Sequence, residues 1–196
     1  MTERVGRLIV GITGASGVIY GIRALELLKP MDIETHLVLS PAAKATIAQE
    51  TTWKVSDVEA LASVRHDHRD VGASIASGSF QTMGMLIAPC SIKTLSAIAN
   101  SYTNDLMSRA ADVCLKEGRP LLLMVRETPL HKGHLRLMLA AADAGAIIFP
   151  PAPAFYGNPQ SLDDIVNRTV GRALARLGID NEAYHWWKGM GNKDEG

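Results

Sequence analysis

A glycine-rich turn between an apolar run and a helical pattern is the first place where this sequence could perform chemistry. Glycine recurs at positions 11, 14 and 17, directly after the apolar run at 8–10. This order predicts a buried strand, a tight loop and a helix N-terminus. The free N–H groups and positive dipole end of that helix would form a cradle for a phosphate or another anion. A tight turn that serves packing alone is the other interpretation.

The end of the second predicted strand distinguishes between classes of nucleotide site. Dinucleotide sites place an Asp or Glu there to hold a ribose. Here the strand ends in Leu39-Ser40, and the sequence contains no Gly-Lys-Ser/Thr of a P-loop after the glycine turn. A mononucleotide such as FMN therefore fits this sequence better than NAD.

Polar side chains also follow two later apolar runs. Ser91-Ile92-Lys93-Thr94 offers hydroxyls, a cation and the N–H groups of a second helix start, which suits a phosphate or a flavin edge. Plain helix capping by Ser91 is the alternative. Arg126-Glu127 ends the run 121–125, where it forms either an anion clamp beside a proton-transfer carboxylate or an ion pair at the sheet edge.

Other candidates have simpler explanations. His131-x-x-His134 and His66-Asp67-His68 have spacings that metal ligands use, but no third ligand follows nearby and helical pairs usually stand four apart. We therefore predict no metal site. Cys90 is more readily a small buried residue than a nucleophile, because the sequence shows no partner base for it.

Strand and helix patterns alternate along the chain, with later strands predicted at 34–39, 85–88, 121–125 and 146–149. Ser40-Pro41 is predicted to open a helix over 42–49, and Ser56-x-x-Glu59 a short helix over 58–64. Ser161-x-x-Asp164 is predicted to cap a long final helix that runs to about residue 177. A long polar loop is expected at 65–82. The alternation predicts an α/β fold with a mostly parallel sheet covered by helices on both faces, and ligands in such sheets bind beyond the carboxyl ends of the strands.

Length and composition limit the possible functions. The 196 residues predict a single domain, residues 1–196, with a C-terminal tail from about 178. The net charge is zero, which does not favour nucleic acid or an anionic membrane as a partner. The sequence shows neither a signal-peptide pattern nor an apolar segment of membrane-spanning length, and its two cysteines do not form a disulfide framework. The expected location is the cytoplasm.

Seven motifs together resemble the flavin prenyltransferases of the UbiX type, a family that includes proteins once labelled phenylacrylic or aromatic-acid decarboxylases. The motifs are Gly14-Ala15-Ser16-Gly17, Glu34-Thr35-His36-Leu37-Val38, Ser77-Gly78-Ser79-Phe80-Gln81-Thr82, Pro89-Cys90-Ser91-Ile92-Lys93-Thr94, Arg109-Ala110-Ala111-Asp112, Val125-Arg126-Glu127-Thr128-Pro129-Leu130 and Pro153-Ala154-Phe155-Tyr156. The resemblance extends from about residue 7 to about residue 188.

The resemblance implies a Rossmann-like, three-layer αβα flavoprotein fold and a metal-independent enzyme. Such an enzyme joins a dimethylallyl group from dimethylallyl phosphate to N5 and C6 of reduced FMN. The product, prenylated FMN, serves UbiD-type decarboxylases, for example in ubiquinone synthesis. The resemblance also implies a homododecamer built from trimers, with active sites between subunits.

The resemblance assigns site residues by matching position. Contacts to FMN are implied for Gly14, Ala15, Ser16, Ser40, Ser91, Ile92, Lys93, Thr94 and Arg126. Contacts to the prenyl phosphate are implied for Arg109, Lys116, Arg126, Glu127, Tyr156 and Arg172. Catalytic roles are implied for Ser16, Glu50 and Glu127. From the residues alone, Tyr156 in its proline-rich loop could simply pack, and Arg172 could simply be solvated.

Two other functions share this fold. An FMN-dependent decarboxylase could act directly on an aromatic or peptidyl-cysteine acid, although the cations Lys116, Arg126 and Arg172 favour a phosphate co-substrate. A flavin-binding protein without activity is the second possibility, and the two carboxylates Glu50 and Glu127 argue against it.

Overall fold

The computed structural model describes residues 6–155 and 158–184, and within these residues six parallel strands form one sheet. The strands are β1 Gly6–Ile12, β2 Ile33–Leu39, β3 Val64–His66, β4 Gly84–Cys90, β5 Leu121–Val125 and β6 Ile147–Ile148. The helices in the same residues are α1 Ile19–Leu28, α2 Pro41–Glu50, α3 Val55–Glu59, α4 Ile92–Ala99, α5 Leu106–Lys116, α6 Lys132–Asp143 and α7 Leu162–Arg176, and a 3-10 turn lies at Ser74–Ala76.

The central strands are apolar on both faces, which is why each appears as a continuous apolar run in the sequence. Alternate residues of β1 enter two different cores. Leu8 and Val10 belong to the core that contains side chains of α1 and α7. Ile9 belongs to the opposite core, which contains side chains of α4 and α5. The three-layer αβα fold is therefore confirmed.

The strand order β3-β2-β1-β4-β5-β6 determines where a ligand can bind. From β1 the chain first builds outward through β2 and β3, and then returns to add β4 on the other side. The two helices that leave β1 and β4 consequently diverge to opposite faces of the sheet. This reversal opens a crevice beyond the carboxyl ends of β1 and β4.

Local capping signals were accurate at several helix starts. The hydroxyl of Ser40 accepts a hydrogen bond from the N–H of Ala43 at 3.1 Å, and Pro41 is the first residue of α2. At α7, Ser161 and Asp164 form a reciprocal capping box. These predictions are confirmed because the bonds involve only residues that lie within one helical turn.

The helix predicted over 58–64 is wrong. Helix α3 begins earlier, at Val55, and the residue before it, Lys54, makes no side-chain cap. Glu59 does not close a capping box, because its carboxylate binds Lys44 at 3.2 Å and Arg65 at 2.8 Å. The chain after α3 is then drawn into strand β3 by pairing with β2.

The long loop predicted at 65–82 is only partly present. The end of β3 and the 3-10 turn interrupt it.

The strand predicted to stop at Pro89 continues to Cys90, with its register to β5 shifted between Ile87 and Cys90. Pro89 lacks an N–H group for the ladder, which accounts for an irregularity at this point rather than an end. None of the helices in the described segments combines the length and apolar character that a membrane span requires.

Candidate active site

Hydrogen bonds tie the carboxyl ends of four strands into one edge. The hydroxyl of Thr13, after β1, donates to the carbonyl of Pro89 in β4 at 2.7 Å and accepts the N–H of Ser91 at 2.9 Å. The N–H of Ser40 bonds the carbonyl of Ile12 at 3.0 Å, which joins β2 to β1. The N–H of Arg126 bonds the carbonyl of Cys90 at 3.1 Å, which joins β5 to β4. The glycine loop, Ser40, the start of α4 and Arg126 therefore share the crevice edge.

One stripe of helix α2 lies along the glycine loop. Its members are four residues apart, at 42, 46 and 50, so they share a face of the helix. A Cβ at Gly14 would collide with the Cβ of Ala42, and the hydroxyl of Thr46 reaches the carbonyl of Gly14 at 3.3 Å. Glycine at position 14 is therefore required for the close approach of α2, which in turn brings Glu50 to the loop.

Glu50 binds at the very helix N-terminus that the sequence predicted for an external anion. Its Oε2 accepts the N–H of Gly17 at 2.8 Å, and Gly17 has a φ of 95°, which favours glycine. Burial alone would raise the pKa of Glu50, but hydrogen bonds from the Ser16 hydroxyl and from the N–H groups of Gly17 and Val18 lower it, together with the charge of Arg126. The net effect is a lowered pKa, so Glu50 is ionised at neutral pH.

Ser16 and Arg126 complete this arrangement around Glu50. Ser16 is exposed at the tip of the glycine loop, and its hydroxyl bonds the Glu50 carboxylate. Arg126 is also exposed, and its charge acts on Glu50. Glu127 turns back onto its own backbone, where its Oε1 accepts the N–H of Thr128 at 3.0 Å. The edge thus presents a hydroxyl, an ionised carboxylate and a guanidinium to the crevice.

Tyr20 is a site residue that the sequence analysis missed. It is half-buried in the first turn of α1, where its ring lies against Gly17, and the charge of Arg126 acts on its phenol. Tyr20 stands three residues after Gly17, which places it one helical turn beyond the loop. This spacing is the signal by which the sequence could have identified Tyr20.

The start of α4 combines capping with a cation that is already paired. The hydroxyl of Ser91 accepts the N–H of Thr94 at 3.3 Å, so the capping interpretation of Ser91 is correct. The ammonium of Lys93 bonds the carboxylate of Asp105 at 2.8 Å, across to the start of α5. Lys93 can therefore contribute its backbone N–H to an anion, while its side chain is held by Asp105.

Three predicted substrate residues are not brought to this edge by contacts of the single chain. Arg109 bonds the carbonyl of Ala76 at 3.2 Å and the carboxylate of Asp112 at 3.3 Å. Lys116 pairs with Glu117 at the end of α5. Because the chain then enters the amino end of β5, Lys116 lies at the opposite edge of the sheet. Arg172 is exposed on α7. Tyr156 lies outside the described residues.

The remaining candidates have local partners. Cys90 is fully buried, and burial raises the pKa of its thiol far above the ordinary range, which is unsuited to a nucleophile. The rings of His131 and His134 lie tilted against each other with centroids 3.6 Å apart, and His66 bonds His36 at 2.9 Å. Among the described residues no group of three or more His, Cys, Asp or Glu side chains is arranged to hold a metal ion.

The crevice edge fits a flavin mononucleotide. Helix α1 begins there with N–H groups that Glu50 already accepts, and helices α2 and α4 also begin there and offer further N–H groups to the crevice. Leu39-Ser40 leaves β2 without the carboxylate that a dinucleotide ribose requires. The residues that would hold FMN are the loop at 14–16, Ser40, the start of α4 and Arg126.

Comparisons with known proteins agree with this geometry. The family model described as Flavoprotein matches residues 2–174. A protein of Escherichia coli K12 named flavin prenyltransferase UbiX is 61% identical over 186 residues, which cover 93% of this chain and 98% of that protein.

Two solved structures are similar over most of the chain. One is AnUbiX (PadA1) in complex with FMN and dimethylallyl pyrophosphate, with a TM-score of 0.93, 47% identity and coverage of 95% of this chain and 99% of that one. The other is a dodecameric FMN-dependent UbiX-like decarboxylase from Escherichia coli O157:H7, with a TM-score of 0.91, 48% identity and coverage of 93% of this chain and 100% of that one.

Proposed function

We propose that this chain, which belongs to the flavoprotein family and within it to the UbiX-type flavin prenyltransferases, joins a dimethylallyl group from dimethylallyl phosphate to N5 and C6 of reduced FMN. The product is prenylated FMN. The observation that carries the proposal is the convergence of Ser16, ionised Glu50 and Arg126 at the crevice edge of a flavin fold. The similar AnUbiX structure, which holds FMN and dimethylallyl pyrophosphate, supports the choice of substrates.

The reaction needs a leaving anion to be stabilised and protons to be moved. Reduced FMN supplies the nucleophile when bound, so the chain contributes orientation and electrostatics. Arg126 stabilises the departing phosphate, because a preorganised guanidinium acts where negative charge develops. Glu50, held ionised by Ser16 and Gly17, accepts or relays a proton at the flavin edge. Glu127 supplies a proton on the phosphate side.

The second half of the phosphate site is proposed to come from a neighbouring subunit. Lys116 lies at the opposite edge of the sheet from Arg126 within one chain, so a second copy is the means to bring these two cations together. Arg109, Tyr156 and Arg172 complete this part of the proposal. The dodecameric assembly of the similar Escherichia coli O157:H7 structure supports a homododecamer, which we propose is built from trimers.

We propose that a UbiD-type decarboxylase receives the prenylated FMN, in ubiquinone or aromatic-acid metabolism. A cytoplasmic location belongs to the same proposal, and its support is that Cys90 and Cys114 are buried as free thiols.

The mass of the flavin after turnover tests the function. The protein is incubated without oxygen with reduced FMN and dimethylallyl phosphate, and the released flavin is weighed by mass spectrometry. We expect a flavin heavier by one dimethylallyl group from the wild type and from Glu182→Gln, a control at an exposed carboxylate, and unmodified FMN from Glu50→Gln. Unmodified FMN from the wild type, together with carbon dioxide release from an aromatic acid, would support the direct decarboxylase instead.

A further inference from the structure

The turn at Gly17 is held from two directions. Its N–H donates to Glu50 at 2.8 Å. The position where a Cβ would stand faces the ring of Tyr20, whose Cδ2 and Cε2 lie 3.1 Å away. The N–H of Tyr20 also bonds the carbonyl of Gly17 at 3.0 Å. Ring and backbone of one residue therefore support the turn that binds the Glu50 carboxylate.

The phenol of Tyr20 is uncharged at this site. The charge of Arg126 acts on Tyr20 as it does on Glu50. Burial raises the pKa of the phenol and Arg126 opposes that rise only in part, so Tyr20 stays protonated at neutral pH. The contact that connects Tyr20 to the proposed function is therefore that of its ring with the Gly17 turn.

We propose that Tyr20 is a positioning residue of this active site and acts through its ring. The ring fixes the Gly17 turn and so keeps Glu50 in place for proton transfer. The inference rests on the proposed function, because the ring acts through Glu50, whose role is assigned there.

Three variants test the role of the ring. Tyr20→Phe removes the hydroxyl and keeps the ring, whereas Tyr20→Leu and Tyr20→Ala also remove support from the Gly17 turn. Tyr102→Leu is the matched control, since Tyr102 is 62% exposed and lies after α4. Each variant is tested for FMN affinity by flavin fluorescence, for kcat and KM with dimethylallyl phosphate, and for the pH profile of prenylation.

The ring variants should affect Glu50. The groups that face Glu50 are the Ser16 hydroxyl, the N–H groups of Gly17 and Val18, and Arg126. A looser turn weakens the two N–H bonds, so the acid limb of the profile moves to higher pH in Tyr20→Ala and Tyr20→Leu. A misplaced catalytic group can lower kcat about a hundredfold. The dissociation constant for FMN should stay within about threefold of the wild-type value, well below the tenfold change that corresponds to 1.4 kcal/mol.

The hydroxyl variant should behave like the wild type. Tyr20→Phe keeps the ring against the Gly17 turn, so its kcat, its KM for dimethylallyl phosphate and its acid limb should coincide with those of the wild type. A crystal structure of Tyr20→Ala provides a measure that is independent of activity, because Glu50 Oε2 should then lie beyond hydrogen-bond distance of Gly17 N.

Two results would overturn the inference. Ring variants with the kinetics and the pH profile of Tyr102→Leu would show that Tyr20 only packs. An acid limb shifted equally by Tyr20→Phe would contradict the assignment of this role to the ring. If Tyr20→Ala does not fold, Tyr20→Leu and Tyr20→Phe still decide the matter. A wild type that binds FMN without prenylating it would instead refute the proposed function, and the crystal structure of Tyr20→Ala would still test the support of Glu50.

Discussion

Replacing Glu50 by Gln changes the charge of one oxygen and little else. The amide oxygen of Gln can still accept the N–H of Gly17, which now binds Glu50 at 2.8 Å. The Ser16 hydroxyl keeps a polar partner as well. The charge is lost, and with it the attraction to Arg126 and the capacity to accept a proton.

The expected losses differ strongly between stability and rate. Hydrogen bonds to a charged group contribute about 1.5–3 kcal/mol, but Glu50 is exposed and solvent screens its charge. We therefore expect the free energy of unfolding to fall by only about 0.5–1 kcal/mol. A positioned acid or base contributes about 10²–10⁴-fold in rate, which corresponds to about 3–5 kcal/mol of transition-state stabilisation. The rate loss should exceed the stability loss several times over.

Both quantities can be measured on the same preparation. Single-turnover absorbance with reduced FMN and dimethylallyl phosphate gives the prenylation rate, and urea unfolding of the protein without FMN gives the stability. The pKa of Glu50 is lowered in the folded state, so its stabilising contribution is present above the pKa of an unfolded Glu and is lost as pH falls through the lowered value. The difference between wild type and Glu50→Gln should therefore vanish in acid.

Two outcomes would refute this account of Glu50. A Glu50→Gln variant that prenylates FMN at the wild-type rate would remove Glu50 from proton transfer. A stability difference that persists unchanged in acid would mean that the carboxylate charge does not stabilise the Gly17 turn. The exposed control Glu182→Gln should match the wild type in both measurements.

Three further changes test the fold, the thiol and the assembly. Arg23→Met removes the ion pair that joins α1 to Asp163 of α7 at 3.1 Å. The free energy of unfolding measured in urea should fall by about 1–3 kcal/mol, whereas the affinity for FMN should not change. A loss of FMN binding at unchanged stability would be inconsistent with a structural role. Cys90→Ala should keep kcat within a few-fold of the wild type, and a folded but inactive variant would restore the thiol as a catalytic candidate. Lys116→Met and Glu50→Gln should each be inactive alone, yet regain part of the turnover when subunits are mixed and reassembled; no recovery after confirmed mixing would argue against a site shared between subunits.

The elements of this fold follow from short-range patterns. The continuous apolar runs predicted buried parallel strands, and the alternation with helical periodicity predicted three layers. Ser40 and Ser161 predicted the starts of their helices correctly because a capping hydroxyl accepts an N–H only three residues away. The prediction failed at Ser56-x-x-Glu59, where the carboxylate of Glu59 binds Lys44 and Arg65 instead of a helix end.

The position of the site edge could be predicted in part. Parallel strands bring their carboxyl ends together, so the residues after β1, β4 and β5 were expected at one edge, and hydrogen bonds of Thr13 and Arg126 confirm that they meet there. The roles of individual residues at that edge, taken from the family resemblance, stay predictions.

What the sequence by itself determined was five of the six strands that the structure describes, several helix starts, the glycine turn and, through its motifs, the family. Strand β3, which forms by pairing with β2, was not predicted. Only the tertiary structure decided what binds to that turn, because Glu50 reaches Gly17 from 33 positions away through the stripe of α2. It likewise decided that Arg126 acts on both Glu50 and Tyr20, and that Lys116 lies at the far edge. The physical reason is that local bonds depend on neighbouring residue types alone, whereas these contacts depend on how whole helices are seated on the sheet.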